Sequence, residues 1–505
     1  MLKDGKIYVA VSGEKELYLL PRMANRHGII TGATGTGKTV TLKVLAESFS
    51  DLGVPVFLSD VKGDLTGTCV PGKETEDMKE RIARFGISDI FRFSSYPTRF
   101  WDIFGEKGHP VRVTISGMGP VLLSRMLGLT DAQSGVLNVV FRVADENGLL
   151  LYDLKDLNAI VRYVGDNRTE FSAEYGNIAP ASVNGILRTI LQFENEGGDA
   201  LFGLPELDIK DLMTTDDAGR GYINVLESEK LINSPGVYSI FLLWLMTELF
   251  EKLPEAGDPE KPVIVFFFDE AHLLFEEAPG TLIQKIKQVV RLIRSKGVGV
   301  YFVTQSPSDI PDSVLSQLSN KIQHALRAYT PKEQKALRAA AMSFRINPEF
   351  DTAKAISELG VGEAVVSFLD EKGVPVMAEK AKILPPQSMM GACDDHFVTE
   401  AINGSELESK YREPEDPESA YEIIEAARET LAAEKKKEEK KYSSGLTKVT
   451  GRAGKAAVSS VSRSISSSIV NSLTGGKAVS PSTALKRAAT SALNTIMRGF
   501  FGNIK

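Results

Sequence analysis

The chain has 505 residues, of which 43% are hydrophobic, 25% charged and 8% aromatic, a composition that excludes fibrous and wholly disordered classes. At about one domain per 150 residues, this length suggests two or three domains. The formal charge of −7 is unevenly divided, because residues 441–505 carry ten lysines and arginines and no acid, leaving −17 on the first 440.

The first twenty residues mix short apolar runs with charges and lack the basic start, apolar centre and small-residue cleavage site of a signal peptide, so export is not expected. Residues 6–20 read as a short β-rich lead. HGIITG (27–32) is an apolar strand that stops at a glycine-rich turn, and Val40 to Phe49 then shows helical spacing. VPVFLSD (54–60) reads as a second, buried parallel strand ending in Asp60. Between 120 and 255 the periodicity is mostly helical, in MGPVLLSRMLGLT, QSGVLNVVFRVADENG, LNAIVRYV and VNGILRTILQF, and the stretch reads as a helical insertion. Strands resume at VIVFFF, GVGVYFVTQ and KIQHAL, with GEAVVSFLD and PVMAEKAKI as a late hairpin. The most apolar windows, around Tyr238 to Phe250 and Val263 to Phe268, fall short of the ~18 to 20 apolar residues of a membrane span and read as core.

These elements predict an α/β protein. Its core, with a mainly parallel sheet, is split into residues 1–119 and 256–402 around the insertion at 120–255. A charged helical connector follows at 403–440, through REPEDPES to EKKKEEKK. The low-complexity basic tail, 441–505, still places Val458, Val461, Ile465, Ile469 and Leu473, then Leu485, Ala489, Leu493, Ile496 and Phe500, at helix-compatible intervals. Such a tail suits contact with nucleic acid, an anionic surface or a protein. Two cysteines, Cys69 and Cys393, are too few for a disulfide framework in a chain of this length and lack the CxxC or Cys/His spacing of a zinc site, which fits a reducing cytosol.

Gly32-Ala33-Thr34-Gly35-Thr36-Gly37-Lys38-Thr39 satisfies GxxxxGK[ST], after an apolar strand and before a helix that continues through Val40. Glycines there let successive N–H groups and the helix N-terminus face phosphate oxygens. Lys38 would hold the β and γ phosphates and Thr39 would ligate Mg2+. VIVFFF delivers Asp269 and Glu270 at a strand end, as a Walker B element does; Asp269 would bind the Mg2+ and Glu270 polarise the attacking water. GVGVYFVTQ ends in Thr304 and Gln305, which could sense the γ phosphate or align that water. Arg291 and Arg294 in RLIRSK, with Arg327 as rival, could reach a neighbouring subunit's site.

His272 completes a DEAH string and raises a DEAH-box alternative, but Asp269 lies 231 residues after Lys38 and no second-core motif occurs between Gln305 and Asn403. No NKxD motif marks a GTPase.

ANRHGIITGATGTGKT, FLSDVKGDL, VIVFFFDEAHLLF and RLIRSKGVGVYFVTQSPSDIP, in that order, resemble the HerA/FtsK superfamily of ring ATPases, in particular the bacterial YjgR-type HerA-like subgroup, over roughly residues 5–400. The resemblance implies a RecA-like core, ATP and Mg2+ as ligands, a cytoplasmic hexameric ring with ATP hydrolysed at subunit interfaces, and translocation along duplex DNA. It also implies Gln305 as sensor and Arg294 as the finger acting in trans. HerA proper carries a nuclease-docking β-barrel ahead of its phosphate loop, whereas 31 residues precede Gly32 here, so nuclease coupling is not expected. FtsK-type membrane spans and a winged DNA-reading module are not evident. A protein-directed motor and a nucleotide-gated assembly module are the alternative functions; the acid at Glu270 speaks against the second.

Overall fold

Two of the apolar runs contain no charge at all, IVFFF and VGVYFVT, and both are buried at every residue. Strands covered on both faces belong in the middle of a parallel sheet. In the computed structural model, which describes residues 1–275 and 280–447, they are neighbours at the centre of a thirteen-stranded sheet.

The strands are β1 (Leu2–Lys3), β2 (Lys6–Ser12), β3 (Lys15–Leu19), β4 (Gly28–Thr31), β5 (Val56–Asp60), β6 (Thr98–Asp102), β7 (His109–Pro110), β8 (Ile223–Glu227), β9 (Ile264–Phe268), β10 (Val298–Thr304), β11 (Asn320–His324), β12 (Glu363–Ser367) and β13 (Glu379–Ile383). Their order is β1-β2-β13-β12-β11-β4-β10-β9-β5-β8-β6-β7, with β3 on β2. From β11 through to β7 every pair is parallel. The late hairpin β12–β13 is antiparallel and also carries the N-terminal lead, since β13 pairs with β2. Helix α1 (Lys38–Asp51) follows β4 and packs on the core cluster through Leu42, Leu45 and Phe49. The helix Pro235–Lys252 is buried from Val237 to Met246, and no helix among the described residues is long and apolar enough to cross a membrane.

The chain forms two compact units, and the division falls elsewhere than the sequence suggested. The unit built on the sheet comprises Met1–Val113 and Phe193–Glu415. The other comprises Thr114–Gln192 and the chain from Asp416. The expected insertion at 120–255 therefore ends early, and β8, inside it, lies between β5 and β6. Asn224 interrupts the apolar run of β8, which hides the strand; its side chain accepts from Trp101 Nε1 (3.0 Å) and donates to Leu212 O (3.0 Å). In the second unit the helices Asp131–Glu146 and Leu154–Asp166 start with capping boxes from Thr130 and Asp153. The charged segment expected as a connector docks there: Ser419 Oγ and Tyr421 N–H both donate to Asp156 Oδ1, at 2.6 and 2.9 Å, at the start of helix Ala420–Thr447. The intervals expected at 458–500 lie outside the described residues.

His27, at the turn into β4, is a buried structural histidine. Val300 N–H donates to its Nδ1 (3.1 Å), so Nε2–H donates to Val290 O (2.8 Å) and the ring is neutral. Burial, reinforced by Arg294 and opposed by the bond to Val290, lowers its pKa from 6.5 to about 4. The unfolded chain then takes up this proton first as pH falls, so stability drains between pH 6.5 and 4 at up to ~1.4 kcal/mol per pH unit. His27→Gln should start less stable at pH 7 yet lose less over that window, as read from unfolding midpoints across pH; parallel curves for the two proteins would refute the assignment.

Candidate active site

The register fixes which residues share the carboxyl edge of the sheet. Thr31 of β4 lies level with Thr304 of β10, Phe268 of β9 with Phe302 of β10 and Ser59 of β5. One residue further on, Gly32, Gln305, Asp269 and Asp60 all leave the same edge. Strands sit about 4.8 Å apart, so the phosphate loop and the Asp269-Glu270 pair are about 10 Å apart across β10, within reach of long side chains.

The loop is tied down at its base. Gly32 N–H donates to Thr304 O (3.3 Å) and Ala33 N–H to Ala325 O (2.8 Å). Thr36 Oγ1 donates to Ala33 O (2.6 Å), while Thr34 and Gly35 stand exposed at the crest. Gly37, at φ +114°, is the N-cap of α1, and Lys38 to Val40 form its first turn with Thr39 and Val40 half-buried. The Lys38 ammonium curls over the loop to Gly32 O (2.7 Å) and Ala33 O (3.3 Å). Burial lowers its pKa, and the fields of Glu270, Asp269 and Asp309 work in the opposite direction.

Asp269 and Glu270 are 4% and 5% exposed. Ser59 Oγ accepts from both Asp269 N–H (3.0 Å) and Tyr238 Oη (2.8 Å), which locks the strand end. Burial, then the Glu270 charge, pushes Asp269 up to about 6. Glu270 has a left-handed backbone, φ +45°. Burial alone would raise its pKa, but Lys62, with Lys38 and His272 behind it, brings it below the usual carboxylate value. Lys62 Nζ donates to Glu270 Oε1 at 2.5 Å. Glu270 Oε2 is buried without a hydrogen-bond partner among the described residues; His272 Nδ1 lies 3.3 Å away but out of alignment. Two adjacent buried carboxylates, one with an orphaned oxygen, suit a divalent cation that takes few protein ligands.

Lys62 and Asp60 were given no role by sequence reasoning, although the lysine and glycine two and three residues after a strand-end acid were the available signal. Asp60 shapes the turn that presents Lys62, accepting from Lys62 N–H (3.2 Å), Gly63 N–H (2.8 Å) and Leu65 N–H (2.8 Å). Burial raises Asp60 to about 7. His324 was likewise missed. Fully buried and held at about 4 by burial, it underpins the loop: it bonds Thr41 Oγ1 (2.8 Å) and Glu363 O (2.9 Å), and its Cβ would lie 2.5 Å from a Cβ added at Gly32.

The sequence profile of the helicase HerA-like C-terminal family matches residues 6–505. The chain belongs to this family. The DNA double-strand break repair helicase HerA of Sulfolobus acidocaldarius is 20% identical over 367 residues, covering 72% of this chain and 66% of that protein. The protein of the same name from Saccharolobus solfataricus is 23% identical over 372 residues, with the same two coverages, 72% and 66%. The chain thus spans about two thirds of the length of these curated relatives. Among solved structures, the bacterial conjugative coupling protein TrwBdeltaN70 superposes with a TM-score of 0.51 at 14% identity, over 78% of this chain and 92% of that one. That likeness carries the fold, a RecA-like α/β core.

The remaining candidates of this HerA-family chain are dispersed. Gln305 is exposed at the carboxyl end of β10. Arg294 opens the turn before β10 and so sits at the opposite, amino edge, about 20 Å away for a seven-residue strand. Burial, then Arg26, lowers its pKa. Arg291 is exposed on the helix Gly280–Ile293. Arg327 is on the loop side, where its guanidinium donates to Ser357 O and to Leu359 O (3.0 Å) at the end of helix Thr352–Glu358. One sheet holds every strand among the described residues, which leaves the tandem-core DEAH-box reading without a second core.

Gly32 has φ +151° and would place a Cβ 2.5 Å from His324 Cβ and 2.9 Å from Thr36 Oγ1, whereas Gly35, at φ +77°, opens on free space. Gly32→Ala should therefore cost about 1–3 kcal/mol more in unfolding free energy than Gly35→Ala, measured by denaturant titration. Equal costs would contradict the packing of the loop on His324.

Proposed function

We propose that the chain hydrolyses ATP with Mg2+ and couples hydrolysis to movement along duplex DNA in a ring of identical subunits in the cytoplasm. The observation that carries this reading is the sharing of one sheet edge by the Lys38 loop and the buried Asp269-Glu270 pair, close enough for Lys38 to feel both carboxylates. HerA-family membership and the names of the relatives support DNA as the track.

The loop N–H groups and Lys38 bind and orient the triphosphate. Thr39 and Asp269 would hold the Mg2+, which when bound neutralises phosphate charge. Glu270, kept ionised by Lys62, accepts the proton of the attacking water, and Gln305 orients that water. Arg294 lies on the far edge from its own pocket, so we assign it to a neighbouring subunit's pocket; Arg327 is engaged in capping a helix of its own chain. The basic residues from Lys441 onward serve as a contact for DNA or another anionic surface.

Purified protein should hydrolyse ATP faster with duplex DNA, and Lys38→Ala or Glu270→Gln should reduce turnover by about 10²-fold or more. Equal rates with DNA, RNA and no nucleic acid would favour a protein-directed motor instead. Arg294→Ala should also be inactive alone. Mixed in equal amounts with Lys38→Ala under exchange conditions, it should recover about one quarter of wild-type turnover, because that share of pockets unites an intact lysine with an intact neighbouring arginine. No recovery would place the arginine's role within its own chain.

A further inference from the structure

The two cysteines stand 324 positions apart in sequence, yet the fold brings Cys69 Sγ and Cys393 Sγ to 3.8 Å as free thiols. Cys69 closes the turn Thr66–Cys69, which follows the Asp60 loop that presents Lys62. Cys393 ends a segment fastened to α1. Glu47 accepts the N–H groups of Gln387 (2.7 Å) and Ser388 (3.0 Å), and Lys43 Nζ donates to Met389 O (2.5 Å) and Gly391 O (3.3 Å). Both thiols donate to one acceptor, Thr66 O, at 3.3 and 3.4 Å, and Cys393 N–H donates to Thr66 Oγ1 (3.1 Å). The sulfurs are thus gathered on a single residue, and closing to a bond of about 2.0 Å needs an approach of only about 1.8 Å.

We propose that Cys69 and Cys393 are a redox-modification site, closing to a reversible disulfide that clamps the Lys62-bearing loop to the segment bracing α1. The oxidant is a low-molecular-weight disulfide such as oxidised glutathione. Cys69, the more exposed thiol, loses its proton to solvent and attacks one glutathione sulfur, expelling the first glutathione thiolate. Cys393, deprotonated in turn, attacks the Cys69 sulfur of the mixed disulfide and expels the second. Two protein thiols are oxidised and one disulfide is reduced to two thiols. Burial, then the neighbouring Cys393, raises the Cys69 pKa to about 12, with Lys43 pulling it back, so exchange is slow at neutral pH and quickens about tenfold per pH unit up to pH 9.

The test is independent of the ATPase reading. Full-length protein is incubated with oxidised glutathione at pH 8 and followed by intact mass, peptide mapping and amide hydrogen exchange. The expected product is lighter by two hydrogens, contains a peptide pair joining Cys69 to Cys393, exchanges more slowly over residues 61–69 and reverts with dithiothreitol. Cys393→Ser should instead retain glutathione on Cys69. Glutathione held on either cysteine of the wild-type protein, both thiols still open to alkylation, or a cross-link that leaves exchange over 61–69 unchanged would each overturn the proposal.

Discussion

Four charges confined to one edge of the sheet, Lys38, Lys62, Asp269 and Glu270, set the terms for the rest of the molecule. Withdrawing an ion from water costs several kcal/mol even after relaxation, and the cost is offset only when opposite charges and hydrogen bonds are supplied in the same place. Here two cations face two anions. The acids are the buried partners, whereas the Lys62 side chain is 39% exposed, so removing Lys62 would strip Glu270 of its hydrogen-bonded counter-cation while removing Glu270 would leave Lys62 in water. The acids at the strand end therefore need their lysines more than Lys62 needs them.

Neutral groups fix the geometry around that cluster. Ser59 accepts from Tyr238 and from the Asp269 backbone, so the strand carrying the acids is pinned to the helix Pro235–Lys252. His324 and His27, both held near pKa 4 by burial, act at opposite ends of the parallel strands, one beneath the glycine loop and one between β10 and the helix before it. A charged imidazole at either place would be another uncompensated ion. Preorganisation of this kind lets a site act on a charged ligand without rearranging its own dipoles.

Much of this was legible in the sequence, for a physical reason. Strands buried on both faces must be apolar throughout, and IVFFF, VGVYFVT and the run before Gly32 announce themselves, as does a glycine loop that only one backbone geometry satisfies. β6 and β8 escaped because their polar residues are paired inside the core. Arg99, 3% exposed, donates to Asp211 O, Thr214 and Glu406 and stacks on Tyr222, while Asn224 satisfies Trp101 and two backbone carbonyls. A local pattern cannot reveal partners more than a hundred residues away. Lys62 escaped for the same reason: its significance lies in Glu270, 208 positions later.

The antiparallel flank of the sheet completes the design. A helix whose first turn must present N–H groups to an anion gains nothing from its dipole if it can slide. Lys43 and Glu47, one turn apart on α1 and both buried, bond the backbone of residues 387–391, which the β12–β13 hairpin delivers alongside. Burial lowers the lysine's pKa and raises the glutamate's, so each is weakened as an ion and depends on its fixed backbone partners. The segment also bridges to Pro71 through Ser388, next to the turn that leads back to Lys62. One short stretch of chain thus fastens the helix that begins with Lys38 and, at Pro71, the chain that follows the Lys62 loop.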